Sequence, residues 1–256
     1  YERAAGDKTL PSDLRPPRVL AGVLDYLFGE LLVREGFVGT YAFLRDRTRA
    51  VRSDFVMQRE GGAVAMGCHE RCVRFHVVAL RAMRGEREFS VALEEQQLMN
   101  TLQSLKEFYS DQRGVWRSPN EVEMRVYHRL VHIRDQRERQ DDVAEEIRRH
   151  PVYVLTTAFR AHVQAESSPI TKNSALVVGA EGMRIFAELA AWLMGQQGKR
   201  GMVYLVACLL EHLFGRDTIE DIDAVRGGLG LADIINGTEP QPTPEPEAIP
   251  EPEPTP

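Results

Sequence analysis

Apolar residues recur along the chain at spacings of three and four, broken by short polar or glycine-containing stretches, which is the pattern that lines one face of an α-helix. Strict apolar/polar alternation, the mark of a half-buried strand, is nearly absent. A first helix is expected after Arg15-Pro16-Pro17, because proline is tolerated in a first helical turn, with Leu20, Val23, Leu24, Leu27, Phe28 and Leu31 as its stripe. A second follows Gly36 and runs to about Gln58. A third, Ala63 to Arg84, carries Val64, Cys68, Cys72, Phe75, Val78, Ala79 and Met83. Ser90 caps a fourth, with Val91, Leu98, Leu102, Leu105 and Phe108. Ser118-Pro119-Asn120-Glu121 reads as a capping box with proline at its first helical position, opening a fifth helix through Val122, Val126, Leu130 and Ile133.

Three further amphipathic segments span Asp141 to Arg149, Pro151 to Gln164 and roughly Ser174 to Met194, the last through Ile185, Phe186, Leu189 and Trp192. The nearly all-apolar run Met202 to Phe214 predicts a deeply buried helix. A short helix from Thr218-Ile219-Glu220-Asp221 is expected to stop at Gly227-Gly228. Successive hairpins with short connections predict an all-α superhelical array of TPR-like or PCI type, in which each pair hides its apolar face against its neighbours. No strict sequence period accompanies it. From Thr238 onward, proline at almost every second position and repeated glutamate predict a disordered tail.

The tail changes the reading of the charge. Of the formal net charge of -6, five units come from glutamates after Gly237, which leaves the body nearly neutral. Cationic residues concentrate in the first half, and only four of the 32 basic residues are lysines, so arginine, the side chain suited to bidentate phosphate or carboxylate contacts, dominates. That points to a partner surface, protein or nucleic acid. No apolar run reaches the ~18 to 20 residues of a membrane helix. The chain opens at Tyr1 with neither an initiator Met nor an apolar leader, so the expectation is a fragment without a secretory signal.

Candidate chemistry is sparse. Three cysteines, Cys68, Cys72 and Cys208, lie in apolar stretches, which favours a reducing compartment, nucleus or cytosol. Cys68, Cys72 and His76 step by four beside His69, but one straight helix cannot wrap a tetrahedral metal, so a packed seam is expected and no metal. His69-Glu70 lacks the second histidine of a metalloprotease helix. The Gly195 to Gly201 stretch lacks the spacing of a phosphate loop and reads as a flexible connection. Carboxylates such as Glu94 and Glu95 are expected on a solvated face, and no catalytic constellation or cofactor site is visible, so the chain is read as a non-enzyme. Arg45, Arg49 and Arg52 fall on one helical face and are the candidate nucleic-acid or helicase contacts, with an ion-paired face as the plainer reading. Trp116 beside Arg113 and Arg117 is either a stacking platform or a plug under its loop.

With the helices laid out, the order of motifs carries a likeness to a known family. The residues that carry the likeness are Leu10-Pro11-Ser12-Asp13-Leu14-Arg15-Pro16-Pro17, Asp25-Tyr26-Leu27 and Val51-Arg52-Ser53-Asp54-Phe55-Val56-Met57-Gln58. They continue in His69-Glu70-Arg71, Arg74-Phe75-His76, Glu95-Gln96-Gln97-Leu98, Leu102 to Tyr109, Ser118 to Glu121 and Tyr204 to Glu211. In this order these motifs resemble the GANP family of messenger-RNA export scaffolds, with the yeast-type branch the nearer likeness.

The resemblance implies helical repeats leading into a PCI-type winged helix. It further implies pairing with a second PCI-domain protein and, through it, with a small acidic subunit shared with the proteasome lid. A DEAD-box export helicase and RNA complete the implied partners, with no membrane, and the implied place is the nucleus, at the nuclear pore. The expected divisions are 1–16 as an extended segment, 17–214 as the repeat domain, 215–236 as the start of a truncated winged helix and 237–256 as the tail. Leu229, Leu231, Ile234 and Ile235 form an apolar patch ahead of that tail and are the candidate partner contacts, since the last unit of an array has a face without a neighbour.

Overall fold

The computed structural model describes residues 11–135, 143–171, 174–195, 200–215, 218–219 and 221–238, and no strand occurs among them. The all-α array expected from the periodicity is the fold. Helix α1 (Pro17–Asp25) starts at the proline pair. It runs through a π-helical turn (Tyr26–Leu31) into α2 (Leu32–Glu35), so Leu20, Leu24, Leu27 and Phe28 all face the core. Gly36, at φ 78°, turns the chain directly into α3 (Phe37–Met57), a conformation that a residue with a Cβ adopts only at a cost.

The hub is α4 (Ala63–Ala82). It packs against α1, α3, α5 (Val91–Asp111), α10 (Arg200–Phe214) and α12 (Leu231–Asn236). A helix surrounded on every side must bury its polar residues with its apolar ones, and α4 buries His69, Glu70, Arg74 and His76 together with Cys68, Cys72, Val73 and Phe75. Only its first turn reaches out: Val64, expected in the stripe, is 40% exposed. The hydroxyl of Ser90 accepts the Leu93 amide at 3.4 Å and caps α5 as expected. A second group of helices, α6 (Glu121–Val131), α7 (Glu145–Arg148), α8 (Pro151–Glu166) and α9 (Ala180–Gly195), extends the array from α5 through α6 and α8. α10, buried from Met202 to Glu211, joins this group to α4.

Several expected boundaries move. The fifth helix begins at Glu121 rather than Pro119, because Ser118 does not cap it. Its hydroxyl instead donates to Glu70 of α4 while accepting the Asn120 amide at 3.1 Å, and Glu121 turns to Arg125. Among the described residues, the segment predicted from Asp141 is helical over Glu145–Arg148, and the one predicted from Ser174 starts at Ala180. Asp221 accepts the Ala224 amide at 3.0 Å to start α11 (Ile222–Arg226), which Gly227 at φ 60° ends as predicted. The Gly195 to Gly201 connection falls largely on residues 196–199, outside the described residues, as do the predicted N-terminal segment's first ten residues and the tail beyond Thr238.

Candidate interaction surfaces

Helices α3 and α5 flank α4, and a groove runs between them. On α3 the residues facing it step by three and four through Val38, Ala42, Arg45, Arg49, Arg52 and Val56. On α5 the matching row is Ser90, Leu93, Gln97, Asn100 and Ser104. Two depressions of about 520 and 320 Å³ lie in line along these faces.

The three arginines predicted on one face do share it, but they have different duties. Arg45 Nε donates to Glu94 Oε2 at 3.0 Å. Arg52 donates to Thr101 Oγ1 at 2.6 Å and to Gln97 Oε1 at 2.7 Å, with no carboxylate partner among the described residues. These bonds tie α3 to α5. Burial depresses the Arg52 guanidinium below its ordinary range. Arg49 alone of the three is exposed.

Beneath them lies a polar cluster that the sequence reading misplaced. Glu94 was expected in solvent and is fully buried. Its carboxylate accepts His76 Nδ1 and the Tyr41 hydroxyl, both at 2.7 Å, as well as Arg45. Burial would raise the Glu94 carboxyl, but these three donors outweigh it and hold it below the usual range. Burial also disfavours the charged form of His76, so a neutral imidazole donates to an ionised Glu94. The hydrophobic setting of α4 hid this: a charged residue on the first turn of an amphipathic α5 reads as surface until the fold puts Tyr41 and His76 above it.

His69 belongs to the same groove. Its Nδ1 lies 2.8 Å from the Ala65 carbonyl, its ring packs between Phe55 and Phe108, and burial pulls its pKa down to about 3. Glu70, one residue on, accepts Tyr109 and Asn120 at 2.8 Å and Ser118. The three cysteines are buried, with their thiols pushed up to about 12, 11 and 12 for Cys68, Cys72 and Cys208 by burial, the packed seam that was expected. No group of three or more His, Cys, Asp or Glu side chains among the described residues is placed to hold a metal ion. Trp116 is 39% exposed at the α5–α6 connection.

The C-terminal patch, expected as the partner contact, lies mostly inward. Leu229, Ile234 and Ile235 are buried, and Leu231 is half-buried. They form α12 and its approach, and α12 lies across α4 and the π-helical turn, so the chain covers this patch itself. Polar bonds fix the docking. Arg71 of α4 joins Asn236 at 3.0 Å and Asp25 at 2.7 Å. Gly237, at φ 69°, passes so near Arg74 that an added Cβ would sit 2.7 Å from its Nη1.

Residues 1–223 match the model of the SAC3/GANP family. SAC3 family protein 1 of Schizosaccharomyces pombe is 34% identical over 217 residues, 82% of this chain and 21% of that protein. SAC3 family protein B of Arabidopsis thaliana is 26% identical over 260 residues, 90% of this chain and 14% of its own length. Protein xmas of Drosophila melanogaster is 30% identical over 148 residues, 53% of this chain and 7% of its own. The chain thus spans about a fifth or less of the curated relatives it matches. With a family match that runs from Tyr1 into α11 and a fungal relative alike over most of the array, the chain belongs to the SAC3/GANP family.

Proposed function

We propose that the chain is the helical scaffold segment of a messenger-RNA export complex at the nuclear pore, without enzymatic activity. It couples transcription to export by binding a PCI-domain partner. The observation that carries this reading is the family match over residues 1–223, which spans nearly the whole helical array rather than a peripheral segment. Through that partner the chain reaches the small acidic subunit shared with the proteasome lid, and a separate face meets the DEAD-box helicase. Residues 17–214 act as the repeat domain and 215–236 as the opening of a winged helix. The self-covered packing of α12 supports a partner site on its outward side, around Leu231 and Asp233, and not on the inward Ile234 and Ile235. Affinity capture from nuclear extract with the purified chain as bait is the test. Recovery of a PCI protein together with the small acidic subunit is expected, and their absence from a bait of verified helicity refutes the scaffold reading.

A further inference from the structure

Two hydroxyl side chains in the sequence stand three residues after an arginine, Thr48 after Arg45 and Ser90 after Arg87. The fold treats them oppositely. Thr48 is fully buried in α3, and its hydroxyl donates to the Arg45 carbonyl at 3.1 Å. Ser90 is exposed and ends the connection 83–90 between α4 and α5. Its backbone is extended, at φ −102° and ψ 103°, and Arg87 and Glu88 before it are exposed as well. Phe89 is half-buried, edge-on to Tyr41 at 5.4 Å.

A serine/threonine kinase takes its substrate as an extended stretch, and one class fixes the register by holding an arginine three residues ahead of the acceptor against its own carboxylates. The connection 83–90 offers that stretch outside any helix. Among the described residues the Ser90 hydroxyl is held by one long bond, from the Leu93 amide at 3.4 Å. Only Phe89 and the first turn of α5 have to give way, and helix ends open at little cost in free energy.

The surroundings suit the product as well as the acceptor. Ser90, Arg45 and Arg87 line the wider depression of about 520 Å³, together with Glu86 and Glu88. A phosphate on Ser90 Oγ brings a charge of about −1.5 to −2 and three strong acceptor oxygens. It falls beside the first-turn amides of the 21-residue α5, where negative charge is favoured, and the two guanidinium groups share its depression. Glu86 and Glu88 are exposed and screened by water, and Glu94, on the next turn, directs its carboxylate inward to His76 and Tyr41.

We propose that Ser90 is a phosphorylation site for an arginine-directed serine/threonine kinase. In the transfer Ser90 Oγ bonds to the γ-phosphorus of magnesium-bound ATP, the bond from that phosphorus to the β–γ bridging oxygen breaks, and ADP leaves. The hydroxyl proton passes to a carboxylate of the kinase. The depression, in which Arg45 and Arg87 balance Glu86 and Glu88, then becomes acidic, and the start of α5 is held more firmly. The site belongs to different helices from the partner surface proposed on α12, so it stands or falls independently of the scaffold reading.

The test incubates the 256-residue chain with magnesium, ATP and activated calcium/calmodulin-dependent protein kinase II, an enzyme that selects arginine at this position, and locates phosphate by tandem mass spectrometry. Phosphate is expected on Ser90 and not on Thr48. Arg87→Ala should slow the transfer on the order of ten-fold or more, the loss of one charge-assisted contact to the kinase. Arg87 is exposed, and unchanged circular dichroism establishes that the variant folds. The phosphorylated chain should melt a few degrees above the unmodified one. An unmodified Ser90 in the native chain, whether or not a peptide of residues 84–97 is modified, overturns the proposal. So does an Arg87→Ala rate equal to that of the wild type, or a phosphorylated chain that melts below the unmodified one.

Discussion

Arg74 and Glu123 close a bidentate ion pair between α4 and α6, Nε to Oε1 at 2.7 Å and Nη2 to Oε2 at 2.9 Å, with side chains 4% and 8% exposed. Tyr127 donates to the same carboxylate at 3.0 Å. The pair fastens the hub to the second group of helices. Breaking such a pair leaves a buried charge alone, which costs about 3–5 kcal/mol. Arg74→Met should lower the midpoint of urea unfolding by an amount of that order, and Glu123→Gln should do so by less because the amide still accepts from Arg74 and Tyr127. A change under about 1 kcal/mol for Arg74→Met, the scale of an exposed pair, would place the pair outside the stabilising framework.

Acid should weaken the fold before most carboxylates titrate. His69 has its pKa held at about 3, against 6.5 for a free imidazole. Between those values the unfolded chain binds a proton that the folded chain refuses. Stability therefore rises with pH across that window and is lost on acidification, by roughly 1 kcal/mol between pH 7 and 5.5. Glu94, held below its ordinary range, acts in the same direction at lower pH, whereas burial raises the Glu70 carboxyl, which opposes the effect. Urea titrations at the two pH values check this in the chain and in a Glu70→Gln variant, and a stability that is flat or rising toward pH 5.5 in both contradicts the buried neutral imidazole.

On α12 the two faces should separate folding from partner capture. Ile235→Asp puts a carboxylate into a fully buried position and is expected to destabilise the chain by several kcal/mol. Leu231→Asp, at a half-buried position, should keep the helical spectrum and reduce capture of the PCI partner. Pull-down and circular dichroism of both variants decide it. Full capture by a folded Leu231→Asp chain would move the partner surface elsewhere on the array.

The cysteines give a probe of the core. All three thiols are buried with raised pKa values, so thiolate is scarce and access is blocked. A thiol reagent at neutral pH should modify none of them in the native chain and all three in denaturant. Rapid native labelling would show that the α4 seam opens.

The motifs that carried the family likeness have a common physical role. Arg15 pairs with Asp54 at 2.7 Å and offers its carbonyl to Gln58, joining the Leu-Arg-Pro-Pro segment to the end of α3. Glu70 gathers Tyr109, Ser118 and Asn120 from two other motifs, and Glu211 meets Arg81 at 3.1 Å. Spacing alone cannot reveal this, since a carboxylate and its partner 39 or 48 residues away share no local pattern.

By itself the sequence determined the helical class, the helix order, most helix starts and the burial of α10, because these follow from local periodicity, proline and glycine placement, and apolar content. Only the tertiary structure decided that α4 is surrounded and so buries its histidines and charges, that Glu94 is internal, that Ser118 serves Glu70 instead of capping α6, and that α12 folds back over the π-helical turn. Each of those outcomes depends on which helices meet. A residue's polarity tells what it needs, and the packing of distant segments tells where that need is met.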